Sequence, residues 1–184
     1  MAIHPHRGIN EADPRNRGVI ELFRPQEVTA DYARARLARI NPDQTQVEAR
    51  VAKLMEDLAS KPHRPPPPLN WTLEESPDPH FSTHPDIVEH LWRLDRAMPG
   101  SCRWLVWGYP ALVHPVTGVI FAIAFGTIGI TMRLPPDQLD PALATRRHGS
   151  DVAAAGPEWR FLGGKGEEAL CQAAYDFAGV ENSP

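Results

Sequence analysis

"HPVTGVIFAIAFGTIGITMRLP", residues 114–135, decides the fold. A stretch this apolar can be a membrane span, a buried helix or paired strands. Pro115, Gly118, Gly126, Gly129 and Arg133 interrupt it. No uninterrupted apolar span of about 20 residues survives, so no membrane helix is expected. "HPVTG" places Pro and Gly as a tight turn does, with "ALVH" before it and "VIFAIAF" after it. "GTIGI" offers a second turn and "ITMRL" a third strand, so the segment reads as an antiparallel meander. The middle strand, Val119–Phe125, is apolar at every position. That is the pattern of a central strand covered on both faces.

Toward the C-terminus, Pro135-Pro136 ends the sheet. "PPDQLDPALATRRHGSD" predicts a short helix with Leu139 and Leu143 inward and Arg146, Arg147 and His148 near its end. "GPEWRFLGG" predicts a fourth strand, and "GEEALCQAAYDFAG" a closing helix with Leu170, Ala173, Ala174 and Phe177 on one face. Toward the N-terminus, "CRWLVWGY" reads as a strand that "PALVH" continues or restarts. Before it, "THPDIVEHLWRLDRAMPG" predicts a helix capped by Thr83, burying Ile87, Val88, Leu91, Leu94 and Met98. The expected core is α-β-β-β-α-β-α: an α+β fold with an antiparallel sheet of three to four strands packed by helices.

Residues 1–83 read differently. Twenty prolines lie in the 184-residue chain, twelve of them before residue 86. Residues 1–27 are polar, and "VIELFRP" predicts either a short strand or a docking segment. Thr29 caps a helix over "ADYARARLARI"; Asn41, with Pro42 after it, caps a second. In that second helix Val47, Val51, Leu54, Met55 and Leu58 form one narrow apolar stripe. Pro65–Pro68 predict a stiff polyproline spacer, and residues 69–82 look irregular. The expected division is a helical N-terminal arm over 1–61, a proline-rich linker over 62–82 and the α+β core over 83–184.

Residues 84–179 resemble the MmcQ/YjbR-like and TfoX N-terminal-like group of small bacterial domains. The likeness lies in the opening helix Ile87–Met98, "WLVWGYPAL", "GVIFAIAFG", the strand ending "MRLP", the lone "GPEWR" strand and the terminal helix with "CQAAYDF". It covers about half the chain and is a pattern of aromatics and turns. The resemblance implies a binding module, with DNA binding suspected for some members.

Charge argues against nucleic acid. The net formal charge is −4, with neither part of the chain basic. Cys102 and Cys171 lie far apart and form no metal-type pair, and the polar N-terminus carries no secretion signal, so a cytoplasmic location with free thiols is expected. H-E-x-x-H, C-x-x-C and G-x-S-x-G patterns are absent, so no metal site, cofactor or catalytic residue is assigned. "GGKGEE", residues 163–168, reads as a loop closing onto a helix cap, and Glu74-Glu75 as solvated charge.

The remaining signal is aromatic. Trp104 and Trp107, three apart on one strand, are expected on opposite faces, with Tyr109 sharing the face of Trp107. If that face is open, Trp107 and Tyr109, with Arg133 from a neighbouring strand, make a docking surface of the usual anchor types. If it is closed, a helix covers it, with the 42–60 helix the candidate. His114 and Arg133, at a turn and a strand end, complete the expected binding residues. The expected function is a non-catalytic, cytoplasmic protein-binding domain, such as an immunity or antitoxin-like protein that blocks a partner. The alternatives are a nucleic-acid-associated regulator, or a hydrolase or transferase without a recognisable motif.

Overall fold

The computed structural model of the chain describes residues 8–61, 66–73, 75, 83–100, 103–127, 129–139, 152–162 and 168–180. The predicted helix over 140–151, the "GGKG" loop, Cys102 and Glu74 lie outside the described residues. The chain divides into two units, one of Met1–Arg24 with Pro67–Pro184 and one of Pro25–Pro66.

The larger unit is α+β. Its strands are β1 (Asn70–Trp71), β2 (Arg103–Val106), β3 (Tyr109–Val113), β4 (Ile120–Phe125), β5 (Gly129–Arg133) and β6 (Trp159–Phe161). They pair antiparallel in sequence order, β1-β2-β3-β4-β5-β6. The sheet therefore has six strands, where three to four were expected. One extra strand arises because "RWLVWGYPALV", residues 103–113, is a hairpin. Trp107 and Gly108 form its turn with φ of 52° and 84°, the positive values that two-residue hairpin turns of the tightest type require at both positions. The other extra strand is β1, inside the stretch expected to be irregular linker, where Asn70 pairs with Val106 and Trp71 with Leu105.

Both faces of the sheet are covered. On one side α4 (Pro85–Asp95) and α5 (Glu168–Gly179) bury Leu91, Leu94, Cys171, Ala174 and Ala178 against Leu112, Phe121, Ala122, Ala124, Ile130 and Met132. On the other side α1 (Pro14–Phe23) and a short 3₁₀ turn, Ala153–Ala155, bring Val19, Ile20 and Ala155 onto Val106, Ala111, Val113, Ile120, Ile123, Trp159 and Phe161. This explains the unbroken apolar run of β4. A register shift supports it: Leu112 pairs with Ala122 and Val113 with Ile120. Phe121 is the extra residue of a bulge, and both Phe121 and Ala122 join the α4/α5 core.

The expectations for residues 14–23 and for two helix caps change. "PRNRGVIELF" is a helix, capped by Asp13 and with Pro14 in its first turn; it docks on the sheet. α4 is capped by His84, not Thr83. Thr83 is buried instead, and its hydroxyl donates to the Ala124 carbonyl at 3.3 Å.

The smaller unit holds α2 (Ala30–Ala38) and α3 (Gln44–Ala59). Thr29 caps α2 as expected; α3 is capped by Asp43, whose carboxylate accepts from Thr45 and Gln46 N–H. Asn41 acts one step earlier, accepting from Asp43 N–H. Ala33, Val47 and Val51 are the buried residues between the two helices. Arg34 ties them together at the rim, contacting Asp31 and Glu48 at 2.6 Å each.

Candidate binding groove

The four residues expected to bind fall into two places. Trp107 and Tyr109 come together at the C-terminal end of α1. The Trp107 indole N–H donates to the Ile20 carbonyl at 2.9 Å, and the Arg24 guanidinium lies 5.7 Å from its ring centre. Tyr109 meets Phe23 edge-on at 5.1 Å, and burial pushes its phenol up from the usual range. Both are half-buried, so α1 occupies the side of the sheet expected to be open or covered by the 42–60 helix. Nor do Trp104 and Trp107 share a strand: Trp104 is in β2 and Trp107 in the turn.

His114 and Arg133 instead lie against α5. His114 is buried in the β3–β4 turn, its ring 4.6 Å from that of Tyr175. Its Nδ1 accepts from Val116 and Thr117 N–H at 3.4 and 3.3 Å, which leaves the ring proton of the neutral form on Nε2. Burial lowers its pKa, the Arg15 charge lowers it further, and Asp176 opposes both. Arg133 is buried beside Glu158, Nε to Oε1 at 3.2 Å, with its guanidinium 4.2 Å from the Phe177 ring centre. Desolvation lowers its pKa, against the raising effect of Glu158.

A concave site lies elsewhere, at the end of α4. There a groove of about 530 Å³ is lined by Thr72, Leu73, Asp95, Arg96, Met98, Gly100, Arg103 and Trp104. Each wall follows from local sequence. α4 ends at Asp95 with Arg96 as its cap, ahead of Pro99-Gly100, and both residues line the groove. β2 then delivers Arg103 and Trp104, and pairing with β1 brings Thr72 and Leu73 alongside. Arg103 is held from three sides. Its Nε donates to Asp95 Oδ2 at 2.6 Å, one terminal nitrogen donates to the Trp92 carbonyl at 3.2 Å, and its guanidinium lies 5.3 Å from the Trp92 ring centre. Asp95 is almost wholly buried by this pairing. Arg96 is exposed, and among the described residues no side-chain hydrogen bond or ion pair holds it.

Chemically, the groove offers one neutralised ion pair, one cation unpaired among the described residues and an apolar wall of Leu73, Met98 and Trp104. Asp95 is the carboxylate of its lining. Among the described residues no three His, Cys, Asp or Glu side chains gather as metal ligands. Sequence reasoning missed the groove because Asp95 and Arg103 belong to no motif and are joined only by the fold. The signal available was "LDRAMPGSCRW": a helix stop that returns an arginine toward the acid eight residues earlier. No family model, curated protein or solved structure matches this chain.

Proposed function

We propose that the chain is a non-catalytic binding domain that holds a partner protein, with a cytoplasmic location part of the same proposal. The observation that supports this reading is the groove. An open concavity of about 530 Å³ is the size of a pocket that takes a small ligand, and so has room for a few side chains of a partner. It joins Trp104 to Arg96 and Arg103, the side-chain types that most often anchor protein interfaces. Arg103 is already immobilised by Asp95 and Trp92, so binding would not have to order it. The resemblance of residues 84–179 to small bacterial binding domains belongs to the same proposal, as does a role in blocking the partner it holds.

The test is a cross-linking capture from cells with wild-type protein, the groove variant Arg96→Glu and a variant on another surface, Glu168→Lys. Arg96 is exposed but caps the C-terminus of α4, so its replacement by Glu should lower the melting temperature only slightly. A partner that cross-links to the groove, is lost with Arg96→Glu and is kept with Glu168→Lys is the expected result. A partner retained equally by both variants would move the binding surface away from the groove.

A further inference from the structure

We infer that the groove takes an acidic peptide segment: a carboxylate side chain beside an apolar one. This rests on the binding reading above and names the chemistry of the ligand. Three observations converge on it. First, the charge of the lining does not balance. Asp95 is consumed by Arg103 at 2.6 Å, which leaves the Arg96 cation without a counter-ion among the described residues. Second, the ion pair sits at one wall and is held rigidly, with the Arg103 side chain still 30% exposed. A guanidinium fixed in this way presents donors in a planar fork suited to a carboxylate. Third, the half-buried Leu73 and Trp104 and the buried Met98 supply an apolar wall beside these cations. A ligand that used only the charges would leave that wall wet. A ligand that used only the wall would leave Arg96 unpaired.

The extent of the charge separates an acidic peptide from a nucleic acid. A strand of phosphates is bound by neutralising several of them at once. The groove lining offers one unpaired cation and one already engaged, in a chain of net charge −4. That matches one or two carboxylates better than a polyanion.

The experiment uses the full chain and four fluorescently labelled probes. Three are twelve-residue peptides of one Leu- and Phe-containing sequence carrying Glu, Gln or Lys at the polar positions; the fourth is a twelve-nucleotide single strand. Binding is read by anisotropy at low and moderate salt. The Glu peptide should bind best. Arg96→Glu should weaken it about fivefold or more, the scale of losing and then reversing an exposed charge contact, with only a small fall in melting temperature from placing an anion at the C-terminal cap of α4. Tighter binding of the single strand than of the Glu peptide would overturn the inference in favour of nucleic acid. Equal binding of the Glu and Gln peptides would overturn the acidic class but leave the binding reading standing, provided Trp104→Phe weakens both. Failure of all three peptides to bind would remove the inference, while the cross-linking capture decides the binding reading on its own.

Discussion

Single residues in this protein carry structural loads that their types do not advertise. Asn16 is fully buried inside α1. Its amide donates to the carbonyls of Asn10 and Gly118 at 2.8 and 2.9 Å, and its oxygen accepts from Ile120 N–H at 2.8 Å. One side chain thus pins α1 to the β3–β4 turn, at a turn where Gly118 takes φ of 68°. His114 sits in the same turn and tests the effect of charge there. Its neutral ring accepts the turn's amide N–H groups through Nδ1, and protonation there would turn that acceptor into a donor. Its pKa in the folded chain lies below the ordinary 6.5. The neutral ring's contribution to stability is therefore complete above about pH 6.5 and is lost as pH falls toward the lowered value. The melting temperature should drop between pH 7.5 and pH 5, and that drop should shrink in His114→Gln. An equal drop in the variant would assign the acid loss to other groups.

At the scale of elements, α1 shows why a segment can hide its structure. "PRNRGVIELF" contains Asn16 and Gly18, two poor helix formers, so propensity argues against a helix. Packing against the sheet overrides that propensity. A Cβ placed on Gly18 would lie 1.9 Å from the carbonyl oxygen of Ala155, so only glycine lets α1 approach the 3₁₀ turn Ala153–Ala155. Gly18→Ala should therefore destabilise the protein by roughly 1–3 kcal/mol, the usual cost of overpacking, despite raising helix propensity. Urea unfolding checks this, with the exposed Arg17→Ala as control. A stabilised Gly18→Ala would mean that α1 is free to shift outward. The β2–β3 turn is the complementary case. Trp107 takes a backbone conformation that favours glycine or asparagine, and its hydrogen bond to Ile20 and burial against α1 hold it there.

For the whole molecule, the decisive fact is that the sheet is covered from two distant parts of the chain. α4 and α5 come from residues 85–179 and α1 from the first 24 residues. The expected boundary at residue 83 would leave out both α1 and β1. A fragment over 67–184 keeps every strand but bares Val106, Ala111, Val113, Ile120 and Ile123, all fully or almost fully buried in the intact chain. It should bind a hydrophobic dye and unfold without a sharp transition, and a peptide of residues 8–24 should restore cooperativity. A fragment that melts sharply near the temperature of the full chain would make α1 an accessory.

The sequence by itself determined the elements whose signals are local. The meander of residues 114–135 was legible from its breakers and from the apolar pattern of β4. So were α2, from its Thr29 cap, and α3, α4 and α5, from their periodic apolar residues, although Asp43 and His84 cap α3 and α4 where Asn41 and Thr83 were expected. Tertiary structure decided what depends on a partner far along the chain. It made α1 a helix, because Asn16 and Gly18 are useful only against Gly118 and Ala155. It made Asn70–Trp71 a strand, because two residues form one only when β2 is there to pair with. It turned Trp107 and Tyr109 toward α1, His114 and Arg133 toward α5, and assembled the groove from Thr72, Asp95, Arg96, Arg103 and Trp104. The physical reason is common to all of these. Local propensity and periodicity act over a few residues, whereas burial, close approach and ion pairing are settled by which distant segments meet.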